Sequence, residues 1–378
     1  MTIPVPNLML CNVHITAIEP VLVDVPLRAP VHGVHGIAAV QRSLLVRVVT
    51  DAGGEGWGNV DPTPGYSPVS ADEIYVTVGR LAGVLAGTDA FNVHAALARM
   101  EQAAAMSEAR AAVEMALVDL KARALGIPVH SLLGGRVKDV VTLNAWIGTV
   151  PPEQAAREAA AWHARGFRTA KIKVSGATEA GIERVAAVRA AVGDRMALRV
   201  DFNESLGLDE AAAFIRRLEP YALTLVEQPI ARADIAGLAR IRAAIGIPLM
   251  ADESVTDPGA LVEIIRREAA DLVKLKVMKQ GGLLPTLAMV ACAAAAGLRV
   301  VLGHGFGLTL STLAEATVAA VSDAVIDGCE AVGPLKMSAD VVADPVDLSH
   351  GVVKLPDTPG LGATIDPKAL ARYRRPRR

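Results

Sequence analysis

The pattern of apolar and polar positions changes character near residue 140. Before that point, two runs rich in β-branched residues, His14–Pro26 and Ser43–Thr50, predict strands, the second closing in the turn Asp51-Ala-Gly-Gly54. Helical periodicity follows over about Ser70–Leu85 and Ser107–Leu125. The second helix is predicted to take Ser107 as its cap and to stop at Gly126, with Pro128 beyond. Two Gly/Pro-rich stretches, Pro30–Gly36 and Val60–Tyr66, read as flexible connections with polar or aromatic tips, and loops of that kind often carry substrate contacts.

Beyond residue 140, short Val/Ile/Leu-rich runs alternate with Ala-rich amphipathic helices. The runs are Val140–Trp146, Thr169–Val174, Met196–Asp201, Leu223–Glu227, Pro248–Asp252, Leu272–Val277 and Leu298–His304. A repeat of roughly 24 to 30 residues with this texture is the mark of parallel βαβ units. An open doubly wound sheet competes with a barrel. No GxGxxG follows a first strand and no GxxxxGK[ST] is present, so the nucleotide-binding forms of the open sheet lose support. The expectation is therefore an α/β chain in three parts. An α+β capping domain spans 1–135, a TIM-like (β/α) barrel spans 136–331, and a Pro/Gly-rich segment, 332–378, returns to the capping domain.

Composition narrows the function. Of 378 residues, 52% are hydrophobic and only 3% aromatic, so Ala, Val and Leu must fill a large core. A formal net charge of −2 with dispersed signs gives no reason to expect nucleic acid or an anionic membrane as partner. Three widely spaced cysteines form no CxxC pattern, and the N-terminus lacks a secretory pattern, so a cytoplasmic protein is expected. The uncharged stretch Gly281–Leu298 approaches membrane-spanning length. Its Gly281, Gly282 and Pro285 fit a helix followed by a strand better.

Chemistry enters at the ends of the runs, which finish in Lys171-Ile-Lys173, Asp201-Phe-Asn203, Glu227-Gln-Pro229, Asp252-Glu253-Ser254, Lys276 and His304. In a parallel barrel all C-terminal strand ends converge on one face. Singly, an Asp after a strand is most often a helix cap and a Lys is most often solvated. Six such groups in successive register point instead to one shared site. Asp201, Glu227 and Asp252 would repel one another, and a hard cation relieves that; oxygen-only donors favour Mg²⁺, with Mn²⁺ as the alternative. Lys171 and Lys173 share one strand face, and Lys276 lies across the barrel. Two amines on opposite sides of a carboxylate substrate form an acid–base pair able to remove the α-proton as an enolate forms.

At these residues the sequence resembles the enolase superfamily, and within it the muconate lactonizing enzyme (muconate cycloisomerase) and mandelate racemase family. The matching motifs are Lys171-Ile-Lys173, Val200-Asp-Phe-Asn203, Val226-Glu-Gln-Pro-Ile230, Ala251-Asp-Glu-Ser254 and Lys276-Val-Met-Lys-Gln-Gly-Gly282. Leu132-Leu-Gly-Gly135, Gly333-Pro-Leu335 and Pro359-Gly-Leu-Gly362 extend the likeness over nearly the whole chain. The resemblance implies a modified (β/α)₇β barrel under an N-terminal cap, and often a homo-oligomer. It implies Asp201, Glu227 and Asp252 as metal ligands and Lys173 and Lys276 as opposed acid–base lysines. It also implies Lys171, Asn203 and Glu253 on the substrate side, with the loops bearing His32, His35 and Tyr66 closing over it.

Two departures stand out. Gly303-His-Gly-Phe-Gly307 replaces the segment that usually carries a glutamate, which puts Gly307 at the glutamate position and predicts a missing substrate-side carboxylate. His304 falls where mandelate racemase-like relatives place a catalytic histidine, although Lys276 occupies the place of its aspartate partner. Gly58-Asn59 also replaces a common Gly-Glu in the cap. The expected function is a Mg²⁺-dependent isomerase or lyase acting on a small carboxylate. Cycloisomerisation of a muconate-like diacid is the nearest family reading. Racemisation or epimerisation of N-acyl amino acids or dipeptides, and dehydration of a hydroxy acid, remain open. A non-catalytic scaffold would have lost one of these lysines or carboxylates, and none is missing.

Overall fold

The computed structural model describes residues 13–33, 36–63 and 67–375, the side chains of 31–37 excepted. Its first sheet is antiparallel, in the order β1 (Ile15–Gly33), β2 (Gly36–Thr50) and β3 (Glu55–Val60). The hairpin runs further than its hydrophobic pattern suggests. His32 pairs with Ile37 and Gly33 with Gly36, so the described part of Pro30–Gly36 is ladder rather than loose connection. Backbone pairing, which apolar periodicity does not report, carries the strands through these glycines. The side chain of His32, and His35 and Tyr66 entirely, lie outside the described residues.

Helices α1 (Ala71–Leu85) and α3 (Ser107–Leu125) cover this sheet, and α2 (Val93–Ala103) packs against both of them. Ser70 and Glu73 form a reciprocal capping box at the start of α1. At α3 the cap residue is Met106, not Ser107; the Ser107 hydroxyl donates to the Glu108 carboxylate at 3.2 Å instead. Gly56 and Gly58 let β3 lie directly on α3. A Cβ at Gly58 would stand 2.0 Å from Ala112 O, and one at Gly56 2.2 Å from Ala116 O.

After α4 (Val129–Leu132) and β4 (Val141–Thr142), the barrel begins. Its strands are β5 (Asn144–Ile147), β6 (Thr169–Lys173), β7 (Ala197–Asp201), β8 (Leu225–Glu227), β9 (Leu249–Ala251), β10 (Leu272–Leu275) and β11 (Arg299–Leu302). They are parallel neighbours in chain order. The connections are α5 (Pro152–Ala164), α6 (Glu179–Val192), α7 (Leu208–Arg216), α8 (Ile235–Ala244), α9 (Pro258–Arg266), and the pair α10 (Val277–Gln280) and α11 (Leu283–Ala295). The sheet closes through residues 325–330, which bridge Val300 with Val325 on one side and Leu143 with Cys329 on the other, both parallel. The amide of Glu330 donates to Leu302 O (2.7 Å) and that of Asn144 to Cys329 O (2.9 Å), so 325–330 fills the eighth strand position. The barrel of the (β/α)₇β type is thereby complete.

Alternation along each strand sets two layers inside the barrel. Leu225, Met250, Leu272 and Val301 form a separate apolar cluster in the interior. One strand step further toward the C-terminal mouth, the same face presents Glu227, Asp252 and Lys274. The long buried helix α12 (Thr309–Ala320) packs between barrel and cap. The final segment pairs β12 (Val352–Val353) with β4, bridges Met337 to Leu27 and Arg374 to Val23, and ends in α13 (Pro367–Tyr373) against β1. No helix among the described residues is long and apolar enough to cross a membrane.

Candidate active site

The polar residues of the mouth come from the C-terminal halves of the barrel strands and from the first residues of the turns that follow them. In-register pairing sets Lys173 beside Asp201, and Asp201 beside Glu227. Asp201, Glu227 and Asp252 are all buried. Lys171 Nζ lies 2.9 Å from Asp201 Oδ2 and 3.5 Å from Glu227 Oε1. Lys173 Nζ donates to the same Asp201 oxygen at 2.6 Å and to Asn203 Oδ1. On the far side, Lys276 Nζ holds both oxygens of Asp252, at 2.5 and 2.7 Å, and Lys279 stands 3.7 Å away. Asn203 Nδ2 donates to Glu253 Oε1 at 3.0 Å, joining two residues of the expected substrate side. Lys173 and Lys276 come from the second and sixth of eight strand positions, diametrically opposed in a closed barrel.

Position 307 carries no carboxylate, but the mouth holds another acid that the sequence reading did not count. Glu330, at the end of the eighth strand position, is buried in the mouth and pairs with both Lys171 and Lys274. Gly307 is a glycine for packing reasons: its φ is +132°, and a Cβ there would meet Asp61 Oδ2 at 2.6 Å and Ser311 Oγ at 2.8 Å. Asn59, the other departure, is a buried tie between cap and barrel, donating to Leu44 O and accepting from the Ser311 amide.

Sequence reasoning also missed Lys274 and Gln228. Lys274 Nζ sits 3.0 Å from Glu227 Oε1 and 3.8 Å from Asp252 Oδ2, and its place two residues before Lys276 was the available signal. Gln228 Oε1 accepts from the Asp252 and Ser254 amides at 3.0 and 3.1 Å, fixing the turn that presents Asp252. It does so at φ +34°, a conformation rarely adopted outside glycine, and Asn203 stands at φ +43°. His304 is buried at the end of β11, with Nδ1 3.5 Å from Glu315 Oε1, and neither ring nitrogen has a hydrogen bond. The same Glu315 oxygen accepts the Val277 amide beside Lys276.

Charge and burial divide these groups. Burial pulls the Lys276 ammonium down to about 8 against the pull of Asp252. Burial likewise brings Lys274 to about 8, with Glu227 opposing. Burial also works against Lys171, but Asp201 and Glu227 outweigh it and raise its pKa. Glu227 is pushed up by burial and by Asp201; Asp252 is held far down by Lys276 despite its burial.

The fit of a cation can be judged from the same atoms. Three buried carboxylates end three consecutive strands, and Glu227 Oε2 has no hydrogen-bond partner. An all-oxygen donor set with one unsatisfied, repelled carboxylate suits a hard divalent ion. Among the described residues no three His, Cys, Asp or Glu side chains are already gathered as a cage, because Lys171 and Lys274 reach between the carboxylates. A cleft of about 350 Å³ between cap residues Pro68, Val69 and Met106 and barrel residues Arg232, Glu253 and Lys279 leads to this mouth.

Comparison with known proteins agrees with the geometry. Residues 16–134 match the mandelate racemase / muconate lactonizing enzyme N-terminal domain, and residues 154–369 match the enolase C-terminal domain-like family. A chloromuconate cycloisomerase of Cupriavidus necator is 33% identical, covering 96% of this chain and 99% of its own. An L-Ala-D/L-Glu epimerase of Bacillus subtilis is 33% identical over 92% of this chain and 96% of its own. The crystal structure of a muconate lactonizing enzyme from Pseudomonas fluorescens, complexed with muconolactone, superposes with a TM-score of 0.90 at 32% identity, covering 97% of this chain and all 100% of that one.

Proposed function

The chain belongs to the mandelate racemase / muconate lactonizing enzyme family of the enolase superfamily, and from that premise we propose that it is a muconate cycloisomerase-like isomerase working through the proton α to a substrate carboxylate. The observation that carries this reading is the opposition of Lys173 and Lys276 across one barrel, each anchored on its own carboxylate. A carbon lying between them can exchange a proton on either face. Asp201, Glu227 and Asp252 would hold Mg²⁺, or Mn²⁺ in its place, with Lys274 giving way. When bound, that ion supplies positive charge against the substrate carboxylate as negative charge develops on it.

The protein's own groups do the rest. Lys171, kept charged by its carboxylates, neutralises the substrate carboxylate from the side. Lys276, whose pKa burial lowers to about 8, is the amine best placed to accept a proton near neutral pH. Lys173, with 33% of its side chain exposed, faces the opening. Asn203 and Glu253 line the substrate side as a hydrogen-bonded pair, and His304 offers two unsatisfied ring nitrogens to a polar substrate group. The loops of His32 and Tyr66 complete the substrate side in this reading.

Racemisation or epimerisation is the second reading. It uses the same two lysines, each on its own face, and is favoured by the epimerase of Bacillus subtilis among the relatives. A panel of muconates, N-acyl amino acids and dipeptides assayed with Mg²⁺ separates the two. Loss of muconate absorbance, stopped by a chelator and restored by Mg²⁺, is the expected result. Turnover of dipeptides alone would move the assignment to epimerase, and turnover undiminished in chelator would refute the carboxylate trio as a metal site.

A further inference from the structure

One amine near the mouth has no part in the chemistry above. Lys336 ends the single helical turn Gly333–Lys336 that follows the eighth strand position. Its Nζ lies 4.5 Å from the ring centroid of Trp146 and 4.0 Å from that of Phe306. Trp146 is in register with Lys171 on the neighbouring strand, and Phe306 belongs to the loop after β11. Gly305 leaves the space that Nζ uses, since a Cβ there would stand 3.1 Å from it. Two aromatic faces and a glycine thus fix the position of this half-buried amine and give it no counter-ion.

Its neighbours are differently supplied. Lys171, Lys173, Lys274, Lys276 and Lys279 each have a carboxylate oxygen within ion-pair distance. Glu330, six residues before Lys336 in the chain, is taken by Lys171 and Lys274. Among the described residues Lys336 has no ion pair. Burial and the positive charges of Lys171, Lys173 and Lys274 hold its pKa well below the usual lysine value. Each unit of lowering multiplies the neutral fraction of an amine about tenfold at a given pH, and a neutral, desolvated lysine beside other cations is a nucleophile. The place therefore suits an electrophile that is small enough to enter a half-closed pocket and that leaves a negative charge among the lysines. Carbon dioxide meets both requirements.

We propose that Lys336 is a carbamylation site, where the ε-amine takes up carbon dioxide and becomes a carbamate anion within electrostatic reach of Lys171, Lys173 and Lys274. The nitrogen lone pair forms the N–C bond, one C=O π pair moves onto oxygen, and the nitrogen releases one proton to solvent. Nothing is oxidised or reduced. One positive charge is exchanged for one negative charge, which the neighbouring ammonium groups stabilise through charge-assisted contacts. The N–H that remains can still face the ring of Trp146 or Phe306. The step uses neither the metal site nor the substrate, so it stands apart from the function proposed above.

The test equilibrates the full-length protein with ¹³C-bicarbonate in mildly alkaline buffer. The carbamates are observed by ¹³C NMR, then trapped as methyl esters with trimethyloxonium and mapped by peptide mass spectrometry. Wild type should carry at least about tenfold more trapped carbamate on Lys336 than on the exposed Lys354 and Lys368. Lys336→Arg keeps a cation on the two rings but stays protonated, so it should lose one carbamate resonance, and Lys336→Met should lose the same one. Label on Lys336 no greater than on the exposed lysines overturns the proposal, and so does a carbamate spectrum that is unchanged in both variants. The readout is covalent and needs no turnover, so it succeeds or fails independently of the enzyme's reaction.

Discussion

Lys171 and Lys276 show how one mouth gives two lysines opposite electrostatic settings. Both are buried, yet Lys171 touches Asp201, Glu227 and Glu330 and keeps its charge, whereas burial dominates at Lys276. A base acts in its neutral form, and the neutral fraction of Lys276 grows as pH rises toward about 8. Proton abstraction on its face should therefore climb about tenfold per pH unit below that value and level off above it. A rate that stays flat or falls between about pH 6 and 8 contradicts the role. The lysines and carboxylates at strand ends were legible in the sequence because period-two alternation and strand order place them without further information. Glu330 was not. Its strand position, 325–330, carries Asp327 and Gly328 where an apolar run would announce a strand, and only pairing on both sides reveals it.

Elements set the tolerances within which those residues work. The strand β3 touches α3 through two glycines, and the contact is backbone against backbone. Gly58→Ala forces a methyl onto Ala112 O, and overpacking of this kind costs about 1–3 kcal/mol. A lowered thermal midpoint is the expected outcome; a variant as stable as wild type would show that β3 and α3 can part without cost. The barrel strands were predicted to within a few residues because each apolar run is short and bounded. The first hairpin runs further than expected, and α3 spans Ser107–Leu125 as expected but is capped at Met106 rather than Ser107, since ladder hydrogen bonds and the choice of cap leave no periodic trace. Helix α2 was not anticipated at all. Its buried stripe is only Val93, Ala96 and Met100, too narrow to stand out in an Ala-rich background.

At the scale of the whole molecule, cap and barrel are joined by buried acids that the sequence offered no means to place. Glu114 of α3 accepts the amides of Leu283 and Leu284 at the start of α11, both at 2.8 Å, and burial raises its pKa to about 7. The folded state therefore holds a proton that the unfolded chain releases above about pH 4.5. Stability should fall as pH rises from there to about 7, by on the order of 3 kcal/mol in total. Glu114→Gln, which cannot ionise, should lose that slope in urea unfolding; an identical pH dependence in the two proteins contradicts it. Asp119 makes the corresponding tie to the C-terminal segment, accepting from the amides of Trp57 and Leu361. These joints keep the cap over a barrel mouth whose central claim is two opposed lysines acting on one α-proton. The direct measurement is deuterium exchange at carbon α of muconolactone and of an Ala-Glu dipeptide, followed by NMR in D₂O with Mg²⁺. The account predicts exchange by the wild type with at least one of them, and a loss of about a thousandfold or more in Lys173→Ala and in Lys276→Ala. Exchange at the wild-type rate in either variant would contradict it.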